Sequence, residues 1–243
     1  MQRLLIDGDI VAYKAATSAE TPVNWGDGLW TLHCYEDEVK ARIDEQITKL
    51  MEAPVDTHLI AFTDTTNYRK DIAPYYKLNR KKVRKPMLLG WAREYMIEKY
   101  NVEIWKGLEA DDVLGILGSQ SKRNIIWSAD KDLLTIPALH WIDGEVVHIT
   151  EEEADYQFYY QTLVGDNTDN YKGCPSVGSV KAKKILEGNC TWETVVNTFK
   201  AQGLSEEVAL ENARLARILR DGEYNIDTGE VKLWTPNYDT WSI

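Results

Sequence analysis

Three short apolar runs in this chain end on aspartate: Leu4-Leu5-Ile6-Asp7, Leu59-Ile60-Ala61-Phe62-Thr63-Asp64 and Ile125-Ile126-Trp127-Ser128-Ala129-Asp130. Apolar runs of this length read as buried strands. Between them lie stretches with helical spacing, Val39, Ile43, Ile47 and Leu50 in 36–51, then Leu88, Trp91, Ala92, Tyr95 and Met96 in 87–100. Strand and helix in regular alternation predict an α/β fold, a mainly parallel sheet flanked by helices. Such sheets put their active sites beyond the carboxyl ends of the strands. Asp7, Asp64, Asp130 and Asp132 all fall there, so one acidic site is the expectation. Alone, each would read as a turn or helix-cap aspartate.

Further strands are expected at 29–34 and 102–105, and a hairpin over 139–149 turns at Asp143-Gly144. From Glu151 the texture changes to helix: 154–164, 179–187, 192–200 and 206–220. Two parts follow, a core over 1–150 and a helical region over 151–243. The aromatic and polar tail from Trp234 carries no clear signal. At 243 residues the chain is long enough to bury such a core. No apolar run is long enough to span a bilayer, and the N-terminus lacks a signal-peptide layout, which makes the cytoplasm the expected location and a membrane partner unexpected. Cys34, Cys174 and Cys190 have no paired spacing and read as reduced thiols.

The stretch Gly107-Leu108-Glu109-Ala110-Asp111-Asp112-Val113-Leu114-Gly115 adds three carboxylates in four residues. Crowded acids share a proton, face water or bind a cation. The net charge of −11 taken alone argues against a nucleic-acid partner, but the bases are concentrated. Between Arg69 and Lys85 there are eight Lys or Arg against one acid, Asp71, interleaved with Tyr75 and Tyr76. Cations that meet phosphate and aromatics that stack on bases would suit such a segment, and a solvated charged loop is the alternative. Later, the Gly-rich turn 165–178 joins two helices and leads into Lys181, Lys183 and Lys184. It offers backbone N–H groups and a helix N-terminus to a phosphate. Asp166 and Asp169 open that turn at i,i+3 spacing. His33, His58, His140 and His148 are dispersed and suggest no catalytic role.

Taken in order, the blocks LLIDGD, AFTD, YRKDIAPYYKLNRKKVRKPM, GLEADDVLG, SADKDLL and GDNTDNYKGCPSVG leading to KKIL resemble the 5′ nucleases. That family holds flap endonucleases, 5′→3′ exonucleases, the N-terminal nuclease domain of bacterial DNA polymerase I and short phage exonucleases. The resemblance implies a PIN-like fold with a short basic arch at about 68–90 and a helix-three-turn-helix at about 160–187. It implies two Mg²⁺ or Mn²⁺ ions. Asp7, Asp64, Glu109 and Asp111 would surround one, with Asp112 beside it, and Asp130, Asp132, Asp166 and Asp169 would serve the other. Lys77 and Arg80 would approach the scissile phosphate, Tyr76 would stack, and Arg69 would be a further phosphate contact. Lys81, Lys82, Gly173, Val177, Gly178, Ser179 and Lys181 would complete the DNA surface, and the turn would hold a K⁺. The family's Gly-x-Gly turn reads Ser176-Val177-Gly178 here, with Val180 where a lysine is common.

The expected activity is therefore metal-dependent phosphodiester hydrolysis on DNA with 5′ ends, nicks or flaps, or on an RNA-DNA hybrid, by a monomer from a phage or bacterium. A PIN-type ribonuclease would share the acidic pocket. A catalytically silent DNA-structure-binding protein would need gaps among the acids, and the sequence has none.

Overall fold

A computed structural model of the chain describes residues 1–237. A six-stranded sheet runs through the N-terminal part in the order β5-β4-β1-β6-β7-β8. Its strands are β1 (Arg3–Asp7), β4 (Thr57–Ala61), β5 (Val102–Glu103), β6 (Asn124–Trp127), β7 (Leu139–Ile142) and β8 (Glu145–His148). All neighbours are parallel except β7 and β8, the expected hairpin. Two shorter antiparallel pairs stand apart from it, β2 (Thr21–Asn24) with β3 (Trp30–His33) and β9 (Tyr224–Asn225) with β10 (Glu230–Val231). β1 lies between β4 and β6, so successive crossovers leave it on opposite sides, and a crevice opens at the carboxyl ends there.

Side chains alternate along each strand and divide the core in two. On one face Leu4, Ile6, Ile60, Phe62 and Ile125 pack against α1 (Gly8–Ser18), α2 (Glu36–Met51) and α4 (Leu89–Lys99). On the other, Leu5, Leu59, Ala61 and Ile126 pack against α5 (Ala110–Gln120) and the returning segment with Ile218 and Leu219. That segment crosses α5 so closely that a Cβ on Gly115 would stand 2.4 Å from the Leu219 carbonyl oxygen, which explains a glycine inside this helix. α1 was not expected from the sequence. Apart from Val11, its buried face is made of small residues, Gly8, Ala12, Ala15 and Ala16, so it lacks a stripe of large apolar side chains.

The third core belongs to α6 (Glu151–Val164), α7 (Ser179–Gly188), α8 (Trp192–Lys200) and α9 (Glu206–Ala216). It also takes in Ala73 and Tyr76 from beyond the short helix α3 (Arg69–Ile72). α9 stops at Ala216 and not at 220, because Arg217 turns extended and gives its carbonyl to Arg69. Trp234 meets Phe158 and Trp192 edge-on, with ring centroids 5.1 Å apart in both pairs, so the start of the tail is part of this core. Residues 238–243 lie outside the described residues. No helix among the described residues is long and apolar enough to cross a membrane.

Candidate active site

β1 delivers Asp7 to the carboxyl edge, where it also starts α1. Its Oδ1 accepts from Ile10 N (3.1 Å) and its Oδ2 from the Ser128 hydroxyl (2.8 Å). The side chain is buried, and burial, followed by the nearby charges of Asp9 and Asp130, lifts its pKa from the ordinary carboxylate value to about 6. Asp111, in the first turn of α5, has no hydrogen-bond donor and no ion-pair partner among the described residues. Burial pushes its pKa well up, and Asp7, Asp130 and Glu109 push it further. After β6, Asp130 accepts from Asp132 N (2.9 Å). Asp132 is raised to about 6 by burial and by Asp130, Asp166 and Asp169, while Gln161 of α6 donates to it at 2.7 Å.

These charges describe one acidic groove. Asp7, Asp111 and Asp130 repel one another at one end, and Asp130, Asp132, Asp166 and Asp169 crowd the other. Asp166 and Asp169 sit in the turn after α6 and not on a helix, with Asp166 bridged to Tyr171 by paired backbone hydrogen bonds. Among the described residues no three His, Cys, Asp or Glu side chains are placed as a ready-made cage. The donor chemistry still fits a hard divalent ion: oxygen ligands alone, two of them raised to about 6 and a third pushed well up by burial and neighbouring acids.

Other acids of the expected set are committed elsewhere. Asp112 is fully buried and makes a two-pronged pair with Arg69, at 2.7 and 2.8 Å, while accepting from Glu109 N and Leu219 N. All its lone-pair directions are used, so it holds the helix start in place and does not face an ion. Arg69 is correspondingly not a phosphate contact. It is 2% exposed and also donates to Glu109 and to the carbonyls of Leu215 and Arg217. Asp64 accepts from Gly107 N (2.8 Å) and the Thr66 hydroxyl, and these bonds hold its pKa at about 2. Burial would raise Glu109, but Lys77 and Arg69 outweigh it and hold it at about 2.

Lys77 and Arg80, at the base of the expected arch, reach the groove. Lys77 pairs with Glu109 and lies 3.4 Å from Asp169, and Arg80 pairs with Asp169 and donates to the Thr168 carbonyl. Lys77 takes a left-handed backbone conformation (φ 54°), held by its N–H on the Asp169 carbonyl at 2.9 Å. A residue with a Cβ is strained there. Asn79 donates to the Asn167 carbonyl and Asn170 to that of Tyr75, which ties the arch base to the 166–170 turn. Tyr76 is not a stacking platform: it is 3% exposed, and its hydroxyl lies 2.9 Å from Glu109 and 2.7 Å from Asp169, its one proton shared between the two carboxylates. Lys81 and Lys82 are exposed on the 3-10 turn Leu78–Lys82. Beyond them Glu20 holds Arg84 through both carboxylate oxygens and accepts from Met87 N.

In the second expected DNA surface, Gly178, Ser179 and Lys181 are exposed at the N-terminus of α7, which no side chain caps. Gly173 and Val177 are buried and face inward, contrary to expectation. Gly173 N donates to Asn212, and its backbone passes so near Gly165 that a Cβ on either would come within 2.4 Å of the other's nitrogen.

Ser128 and Gln161, which hold Asp7 and Asp132, were not picked out from the sequence, nor were Asp9 and Arg93. Asp112 did carry a signal: an acid three residues after Glu109 at a helix start is the spacing of a capping box.

The family model described as the 5′-3′ exonuclease N-terminal, resolvase-like domain matches residues 2–161. The chain is 30% identical to the exodeoxyribonuclease of Enterobacteria phage T3, over 96% of this chain and 92% of that protein. It is equally identical to the exonuclease of Escherichia phage T7, over 96% and 93%. The DNA polymerase I of Bacillus caldotenax is 27% identical over 94% of this chain, which spans 29% of that protein. Among solved structures, the fold matches the bacteriophage T5 D15 protein co-crystallised with metal ions, with TM-score 0.62 and 15% identity over 89% of both chains.

Proposed function

The chain belongs to the 5′-3′ exonuclease family and is a nuclease, and we propose that it hydrolyses DNA from 5′ ends, nicks and flaps with two divalent cations, Mg²⁺ or Mn²⁺, in the acidic groove. One observation carries this reading: four carboxylates, Asp7, Asp111, Asp130 and Asp132, converge at the carboxyl edge of a parallel sheet, and among the described residues no basic side chain is paired to any of them. Repulsion of this kind is relieved by cations. When bound, such cations supply a water of lowered pKa and positive charge for the phosphoryl and leaving oxygens.

The chain's own residues do the rest. Ser128 and Gln161 orient Asp7 and Asp132, and the Arg69–Asp112 pair fixes the start of α5 on which Asp111 rides. Lys77 and Arg80 are paired with Glu109 and Asp169 at the lip of the groove. An incoming phosphate competes for both cations, and their charge then opposes what builds on its oxygens. Exposed Lys81 and Lys82 hold the strand entering beneath the arch. The unit α6, turn 165–178 and α7 serves as a helix-three-turn-helix clamp. The free N–H groups at Gly178 and Ser179, with Lys181, suit a duplex phosphate. The K⁺ implied for its turn, the RNA-DNA hybrid substrate and the monomeric state rest on the resemblance alone. Phage and bacterial relatives make a bacterial or phage-infected cytoplasm the proposed setting.

The test uses purified protein with Mg²⁺ on 5′-labelled duplex, nicked and flap DNAs beside a D130N/D132N variant. Release of mononucleotides marks an exonuclease and flap-length products an endonuclease. Absence of metal-dependent cleavage on every substrate overturns the proposal.

A further inference from the structure

Where β4 ends, three helices meet on one residue. Asp9, in the first turn of α1, accepts from Thr63 N through Oδ2 at 3.0 Å, and its Oδ1 pairs with Arg93 of α4. Arg93 Nη2 donates to the Thr63 carbonyl at 2.7 Å, and its guanidinium lies over the Phe62 ring, 4.6 Å from the centroid. Thr63 Oγ1 in turn accepts from Ala110 N at 3.0 Å, the first N–H of α5. Both backbone polar groups of Thr63 and its hydroxyl are thereby occupied.

Asp7 stands two residues before Asp9 on the same chain turn, and Asp111 follows Ala110 directly. The distance across which Asp7 and Asp111 face each other is therefore set through Thr63. We infer that Asp9 and Arg93 are positioning residues, a clasp that holds this spacing and with it the affinity of the groove for a divalent ion. The inference rests on the reading of Asp7 and Asp111 as ion ligands. The Asp9–Arg93 side chains are 32% and 28% exposed, so the ion pair adds little to global stability. Ligand geometry is more demanding: supports one step behind a metal's ligands are typically worth about 10–100-fold in affinity.

Calorimetric titration of Mn²⁺ into the DNA-free protein tests this with wild type, D9N, R93Q, T63V and T63S. D9N, R93Q and T63V should each weaken Mn²⁺ binding by about tenfold or more. T63S keeps the hydroxyl that accepts from Ala110 and should bind as wild type does. The Mn²⁺ concentration for half-maximal cleavage should rise in parallel, while the rate at saturating Mn²⁺ stays within a few-fold. Melting in EDTA separates a folding defect from a ligand effect, and T63V, which leaves the ion pair intact, carries the test if D9N or R93Q unfolds. Equal Mn²⁺ affinity in wild type and all variants overturns the clasp and leaves the proposed nuclease site standing. A wild type that takes up no Mn²⁺ overturns the groove reading and the clasp with it.

Discussion

Asp111 and Asp112 are neighbours in the first turn of one helix, yet they end in opposite electrostatic states. Asp112 faces inward to Arg69, with four hydrogen bonds and its charge cancelled. Asp111 faces the groove among other acids, with its pKa pushed well up. The same division runs through the whole acidic set. Glu109, Asp112 and Asp169 pair with cations, whereas Asp7, Asp130 and Asp132 have only neutral donors and stand among other carboxylates. Paired acids build the walls of the groove, and crowded acids leave it short of positive charge.

Exchanging charge for amide on each side should expose that division. D111N should lower cleavage in Mg²⁺ by about a thousandfold or more, several kcal/mol of lost charge stabilisation, while leaving the melting temperature in EDTA unchanged or higher. A cleavage rate near wild type would place Asp111 with the structural acids. R69Q should do the reverse, destabilising the fold by about 3–5 kcal/mol in urea titration, because it leaves Asp112 buried without its cation. A variant of wild-type stability would show that the pair is dispensable.

The two classes should also respond to pH with opposite sign. Asp7 and Asp132 are raised to about 6, so their contribution is complete below the ordinary carboxylate pKa and is lost as pH rises through about 6. Glu109 is lowered to about 2, so its contribution is present above the ordinary value and is lost as pH falls towards 2. Melting temperature in EDTA should therefore drop between about pH 4 and pH 7, and Mg²⁺ should remove that drop. An unchanged profile with Mg²⁺ would count against cation binding at these acids. The smallest effect belongs to the exposed arch: K81A should reduce the salt slope of DNA binding in filter or fluorescence titrations by about one unit, without altering the rate at saturation. A slope equal to wild type would remove Lys81 from the DNA surface.

The frame of this fold was legible in the sequence because strand-then-acid is a local pattern. Asp7 and Asp130 stand at strand ends as expected, and helices α2 and α4 and the β7–β8 hairpin lie close to their predicted ranges. What failed was direction. Interleaved bases and aromatics announced a nucleic-acid surface over 69–85, but Arg69 and Tyr76 point inward to partners at 109, 112, 169, 215 and 217. No window of sequence contains both members of those pairs. β2 escapes sequence reading because it holds Pro22 and a single apolar, partly buried residue, Val23, between exposed Thr21 and Asn24, too short for the alternation of a half-buried strand. Asp9 was passed over because its partner, Arg93, lies 84 positions away.

The left-handed backbone at Lys77 sets conformational ease against side-chain charge. Glycine or asparagine would adopt φ 54° at less cost, but either would leave the buried Glu109 carboxylate without the Lys77 amine, so a screen for thermal tolerance should not return them. A screen for cleavage should return lysine, since only the amine can be handed from Glu109 to a phosphate. K77G is then expected to relax the backbone yet melt lower than its parent, because buried Glu109 loses the amine beside it, and to cut poorly, so at position 77 one side chain serves both the fold and the cleavage.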